Sequence, residues 1–241
     1  MIRRLAEETT APVALCLDHG ANLEKVVYAL SNQFTSIMLD GSKLSMEENI
    51  AATRLVVQLC HSIGVGVEGE LGHVGQAAAL DGRDASLYTS PEDAARFARE
   101  TGVDCLAVAV GTAHGKYPEG FVPQINFELI ERIKAATCGM PIALHGGSGS
   151  GDENIRKAVK AGINKINLAT DLQNASREGT IEAYQDGGDY VRMIQTAELR
   201  CKELLMHWME LSGSCGQAAK IRLPYTFSRL QGDAKNTAVG E

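Results

Sequence analysis

Long hydrophobic runs are missing from this 241-residue chain: nothing in it approaches the ~18 consecutive apolar residues of a membrane span. Basic blocks are missing as well. With 30 acids against 23 bases and a net charge of −7, no Lys/Arg cluster offers a footprint for nucleic acid or an anionic membrane. The opening residues, Met1-Ile2-Arg3-Arg4 followed by Glu and Thr, carry no apolar core of a signal peptide. The six cysteines (Cys16, Cys60, Cys105, Cys138, Cys201, Cys215) form no C-x-x-C pair and no dense framework, and several lie inside apolar runs. The expectation is a reduced, cytoplasmic protein with free thiols. What remains is an ordinary globular composition, 44% apolar with 25 Gly and 6 Pro, long enough to bury a large core unaided.

Short apolar runs alternate with helical patterns. Pro12 to Leu17, Ser36 to Leu39, Gly64 to Glu68, Cys105 to Val110, Pro141 to Leu144 and Ile163 to Leu168 read as buried strands, bounded by Gly, Pro, Asp or His. Helices are expected over Leu23 to Ser31, Met46 to Ile63, from Pro91, and over Phe127 to Ala136, Asp152 to Ala161, Thr170 to Tyr184 and Val191 to Leu211. Ser45 with Glu48 makes a capping box, and Ser90-Pro91-Glu92 an N-cap with proline at the first helical position. Repeated strand–helix units imply a parallel α/β sheet. The expected domain spans residues 1–211, with 212–241 a tail that is poorly ordered or packed on a neighbour.

Chemically useful residues fall at the carboxyl ends of the strands. Asp18-His19 closes the first, Asp40 the second, Glu68 and Glu70 follow the third, His114 the fourth, His145 closes the fifth, and Asn167 ends the sixth. In a (β/α) barrel these ends open on one face, where active sites are assembled from several strands. His19, His114 and His145 are each flanked by Gly, and three imidazoles with an open fourth position are a catalytic zinc pattern. Asp18 would then reach what the metal activates. Asp40 and Glu70 are hard oxygen ligands suited to a second cation or to supporting the first. His61 and His207 sit on helices and suit surface or structural roles, while His73, in a Gly-rich loop, stays undecided.

A second constellation suits anions. His145-Gly146-Gly147-Ser148-Gly149-Ser150-Gly151 leads from a strand into a helix, as does Asn167-Leu168-Ala169-Thr170 in the next unit. Barrel phosphate sites typically come from the last two strand–helix loops. Lys165 shares a strand face with Asn167 by period two, which leaves a Schiff-base role open beside a structural or anion-lining one.

Leu17-Asp18-His19-Gly20, Leu39-Asp40-Gly41-Ser42, Val67-Glu68-Gly69-Glu70-Leu71-Gly72, Gly111-Thr112-Ala113-His114-Gly115, Leu144-His145-Gly146-Gly147-Ser148-Gly149 and Ile166-Asn167-Leu168-Ala169-Thr170 occur in this order. Together they resemble the motifs of the class II, zinc-dependent ketose-bisphosphate aldolases, fructose- and tagatose-bisphosphate enzymes of (β/α)8 fold. The resemblance implies Zn²⁺ on His19, His114 and His145, Asp18 as proton donor and acceptor, and a second metal at Asp40 and Glu70 in some members. It also implies substrate-phosphate contacts at Gly115, Gly146, Gly147, Ser148, Asn167, Ala169 and Thr170, a monovalent cation (Na⁺ or K⁺), and homodimers or homotetramers. The implied reaction is reversible aldol cleavage of a ketose 1,6-bisphosphate to dihydroxyacetone phosphate and glyceraldehyde 3-phosphate.

The chain departs from that pattern in three places. About six strand–helix units are present where the family has eight, the missing two belonging ahead of Pro12, so the barrel is expected to be incomplete at its N-terminus. The loop after Gly72 is neutral where the family carries acids, with Asp81 and Asp84 as the nearest substitutes. Ala169 resembles tagatose-type members. The rival readings are a catalytically impaired aldolase-like subunit, a Schiff-base aldolase using Lys165, and a metal-dependent sugar-phosphate epimerase.

Overall fold

A computed structural model describes residues 2–9, 11–72, 74–79 and 85–220. His73, Asp81, Asp84 and most of the expected tail lie outside the described residues. After a short helix α1 (Ile2–Glu8), six strands alternate with helices: β1 (Cys16–Gly20), α2 (Leu23–Ser31), β2 (Ser36–Leu39), α3 (Met46–His61) and β3 (Gly66–Leu71). There follow α4 (Pro91–Thr101), β4 (Cys105–Val108), α5 (Phe127–Ala136), β5 (Ile142–Leu144), α6 (Asp152–Ala161) and β6 (Ile163–Ile166). The α-helical hairpin α7 (Thr170–Gln185) and α8 (Tyr190–Leu211) follows β6. The strands pair in chain order, every pair parallel, with β1 and β6 at the edges. The result is six units of a (β/α)8 barrel, open on one side.

Helix starts follow local chemistry. Ser45 accepts from the Glu48 amide while the Glu48 carboxylate takes the Ser45 amide, closing the capping box of α3. Ser90 caps α4 from one residue before Pro91, and Asn22, Asn126 and Asp189 cap α2, α5 and α8. β4 and β6 stop two residues short of expectation, at Val108 and Ile166, so Asn167 follows its strand, and two strands are displaced at both ends. β1 starts at Cys16, not Pro12, because proline has no N–H to give, and the Thr35 side chain and the Thr35 and Ser36 amides hold Leu15 ahead of the ladder. β3 runs to Leu71, so Glu68 and Glu70 lie within it, while Gly64 (φ 74°) belongs to the preceding turn.

Alternation then sorts side chains between two faces. Ile37, Leu39, Val67, Leu106, Val108, Ile142 and Leu144 face the helices in the main core. Met38, Ala107 and Ala143 pack separately, together with Cys105. Register puts Met38 beside Glu68, and Glu70, Ala107, Ala143 and Lys165 in one row across β3 to β6. Both acids and the lysine therefore share the concave face. Between them Gly69 points outward, where the fully buried Phe97 of α4 lies so close that an added Cβ would be 2.7 Å from its ring. That contact seats α4 on β3. Phe97→Ala is expected to cost about 3–5 kcal/mol of unfolding free energy, read as a lower urea midpoint; a cost below about 1 kcal/mol would show the contact to be unimportant.

Candidate active site

His19, His114 and His145 meet at the carboxyl ends of the strands. Their ring centroids are 4.9, 4.8 and 5.7 Å apart, and one nitrogen from each lies within 4.8 Å of the others. Each ring arrives by a separate device. His19 has φ 48°, a left-handed conformation that His tolerates better than most residues, at an irregularity in the β1–β2 register. His114 is held by its main chain, which exchanges hydrogen bonds with Gly75 and Ala77 of the loop after β3. His145 is fully buried, and its carbonyl accepts from the Thr112 hydroxyl at 2.7 Å. Gly146 follows it with φ 67°, where a Cβ would strike the Ala113 backbone.

The outer nitrogen of every ring is already committed. His19 Nδ1 donates to Asp40 Oδ2 at 2.9 Å, His114 Nδ1 to the Val74 carbonyl at 3.1 Å, and His145 Nε2 to Glu68 Oε1 at 2.9 Å. This leaves the lone pairs of His19 Nε2, His114 Nε2 and His145 Nδ1 facing inward. His19 Nε2 and His145 Nδ1 are 3.0 Å apart, so close that either a proton on one of them or a shared cation must lie between them. His114 Nε2 is buried with no hydrogen-bond partner, a cost that a cation would remove. Nitrogens sharing one tetrahedral ion at ~2.0–2.1 Å stand roughly 3.3 Å apart. The donor set fits a divalent metal, and its carboxylate and carbonyl partners fix the tautomers as metal sites require.

The electrostatics differ from ring to ring. The Asp40 hydrogen bond raises the His19 pKa, and the same contact with Ser42 holds the Asp40 carboxyl far below its usual range. Burial pushes His114 down to about 4, so it stays neutral and able to ligate. Burial, with Asp40 adding to it, lifts Glu70 to about 8. Glu70 Oε2 lies 3.5 Å from His19 Nδ1 and has no hydrogen-bond partner. His19, Asp40 and Glu70 also form a compact donor group. A second cation there would have to displace the proton His19 gives to Asp40, so this group is built first to orient His19.

Asp18 is exposed beside the three rings, and Asn167 Nδ2 donates to its Oδ1 at 2.9 Å, joining the ends of β1 and β6. Lys165 Nζ is 2.6 Å from Glu68 Oε2. Burial works against its charge, but Glu68 outweighs burial and raises its pKa. A lysine held as ammonium cannot attack a carbonyl, which opposes the imine reading. Ser148 Oγ accepts from the Asp171 amide at 3.2 Å, which draws the loop after β5 to the start of α7. His61 and His207 pair with Asp104 and Asp152 at the surface, away from these groups. Glu68 was legible as a polar residue near a strand end; its contact with His145 was not. The Val74 carbonyl and Thr112 gave no sequence signal beyond nearness to the glycine-rich motifs.

A family model described as fructose-bisphosphate aldolase class-II matches residues 1–217. The chain belongs to this family. It is thus an aldolase-family enzyme, a carbon–carbon lyase. It is 37% identical over 219 residues to the uncharacterized protein YdjI of Escherichia coli, covering 90% of this chain and 77% of that one. A probable fructose-bisphosphate aldolase of Bacillus subtilis is 38% identical over 223 residues, with the same coverage. The crystal structure of the E. coli YdjI aldolase superposes with a TM-score of 0.80 at 35% identity, covering 90% of this chain and 76% of that one. For this aldolase, His145→Ala is expected to reduce bound divalent metal well below one per chain by elemental analysis; full occupancy would remove His145 from the ligand set.

Proposed function

We propose that this aldolase carries out zinc-dependent, reversible cleavage of a ketose 1,6-bisphosphate of fructose or tagatose type, giving dihydroxyacetone phosphate and glyceraldehyde 3-phosphate. The observation that carries the reading is the inward convergence of one nitrogen from each of three imidazoles, whose outer nitrogens are engaged by Asp40, the Val74 carbonyl and Glu68. Three neutral nitrogens are a zinc donor set with a position left for substrate. When bound there, the cation polarises the ketose carbonyl and stabilises the negative charge that bond cleavage leaves.

The chain's own residues divide the remaining work. Asp18 takes the proton from the C4 hydroxyl as the carbon–carbon bond breaks and returns it in condensation. The Asn167 amide aims the Asp18 carboxylate and joins the substrate contacts. Phosphate binding falls to Gly115, Gly146, Gly147, Ser148, Ala169 and Thr170. Support comes from the helix starts: α2, α3, α4, α5 and α8 have side-chain caps, whereas α6 and α7, which follow β5 and β6, have none. The first amides of α6 stay available to an anion, and those of α7 do so apart from the Asp171 amide, which Ser148 Oγ takes; the positive ends of both helix dipoles add to the attraction. Held by its phosphate, the substrate needs little further ordering to react.

Removal of metal with EDTA is expected to abolish triose release from fructose or tagatose 1,6-bisphosphate, and added Zn²⁺ to restore it. Activity that survives EDTA and is trapped by borohydride would overturn the zinc reading. Asp18→Asn is expected to retain zinc and lose about 10²–10⁴-fold in kcat, measured by coupling triose release to a dehydrogenase. Wild-type turnover in that variant would take the proton transfer away from Asp18. Zinc binding without cleavage of any ketose bisphosphate would favour an impaired subunit.

A further inference from the structure

Lys165 is a charged residue of the concave face that the reaction above leaves without a task, and it pairs with Glu68. They come from β3 and β6, strands separated by two others in the sheet, and they meet across the barrel interior. The Glu68 side chain is only 3% exposed, and its two oxygens are divided: Oε2 takes the Lys165 ammonium at 2.6 Å and Oε1 the His145 Nε2–H at 2.9 Å. The Lys165 side chain is half-buried, so the pair joins a buried carboxylate to a partly solvated ammonium, and desolvation of Glu68 offsets part of the attraction. The pair's use here must lie in what it holds.

The main chain at His145 is already held by the Thr112 hydroxyl on its carbonyl and by the tight turn at Gly146. What remains free is the imidazole: its rotation about the ring bond and its choice of tautomer. His145 offers Nδ1 to the common centre, whereas His19 and His114 offer Nε2. A flipped ring or exchanged proton would turn an N–H toward the metal position. Glu68 selects against both, but only while its carboxylate plane is held.

We infer that Lys165 is a positioning residue that acts through Glu68 on His145, locking the ring with Nδ1 unprotonated and facing His19. The inference rests on the zinc reading above and assigns Lys165 to metal support rather than to substrate. By occupying Oε2, the ammonium leaves Oε1 as the oxygen that faces His145. Loss of the ammonium frees the carboxylate to rotate, and the ring with it.

The test uses the full chain, its Lys165→Met, Lys165→Arg and Glu68→Gln variants, zinc affinity by chelator competition, and the visible spectrum after Co²⁺ substitution. Lys165→Met is expected to weaken zinc about 10- to 100-fold and to change the Co²⁺ bands. KM for the ketose bisphosphate should stay within about threefold of the parent. Lys165→Arg, which keeps the charge and the donor, should recover most of the affinity. Unchanged zinc affinity in Lys165→Met overturns the inference, as does a rise in KM alone, which would make Lys165 a substrate contact. Should Lys165→Met not fold, Glu68→Gln decides: weakened zinc supports the inference and parental affinity overturns it. A parent chain that binds no zinc overturns both readings. One that binds zinc without cleaving ketose bisphosphates overturns only the aldolase substrate and leaves the Lys165 comparison intact.

Discussion

Three imidazole lone pairs pointing at one position cannot be left to themselves. Two ring nitrogens 3.0 Å apart need a proton or a cation between them, and a buried nitrogen without a partner forfeits its hydration. The arrangement persists because the fold leaves each ring little alternative. A parallel sheet brings the ends of β1, β4 and β5 to one face. Each ring is then held by a different acceptor on its outer side: the Asp40 carboxylate from the end of β2, the Val74 carbonyl from the loop after β3, and Glu68 from inside β3. Five successive strands and their loops thus contribute to one position, although only three residues would touch a metal.

That constraint accounts for choices elsewhere that look unfavourable singly. His19 adopts a left-handed backbone at a register irregularity, which turns its ring toward the other two. Two acids, Glu68 and Glu70, lie buried in a strand that would otherwise pack more cheaply with apolar residues. Gly69 between them lets Phe97 close over the outer face, so α4 seats on the strand that carries both acids. The helix-facing core and the polar concave face are therefore one design: packing outside fixes the register on which chemistry inside depends.

The helix boundaries and strand identities were open to reading because their causes are local. Ser45 with Glu48 and Ser90 with Pro91 announce helix starts within four residues, and short apolar runs ended by Gly, Asp or His announce strands. The three histidines were legible for the same reason, each following an apolar run beside glycine. What stayed hidden depends on neighbours distant along the chain. Whether Glu68 or Glu70 supports a given histidine follows from the register of β3 against β4 and from the curl that brings β3 toward β6. A main-chain carbonyl such as that of Val74 carries no side-chain signature at all. Asp40 and Glu70 read as candidate ligands from their places at strand ends; only the register shows that Asp40 bonds the outer nitrogen of His19 while Glu70 Oε2 lies 3.5 Å from it without a hydrogen bond.

Lys165 shows how much such contacts decide. On sequence it was compatible with covalent catalysis, with an anion site or with a structural role, since a lysine on an inward strand face serves all three. An imine-forming lysine needs a neighbourhood that depresses its pKa, through apolar burial or an adjacent cation. Lys165 has the opposite: a carboxylate at 2.6 Å that raises its pKa and keeps it charged. The same carboxylate accepts from His145 Nε2–H on its other oxygen. Imine and metal chemistry would therefore compete for one acid, because freeing Lys165 to act as a nucleophile would release Glu68 from the orientation His145 requires. A barrel with this connection can serve only one electrophilic strategy at a time, and the charged Lys165 is held in the state that opposes an imine.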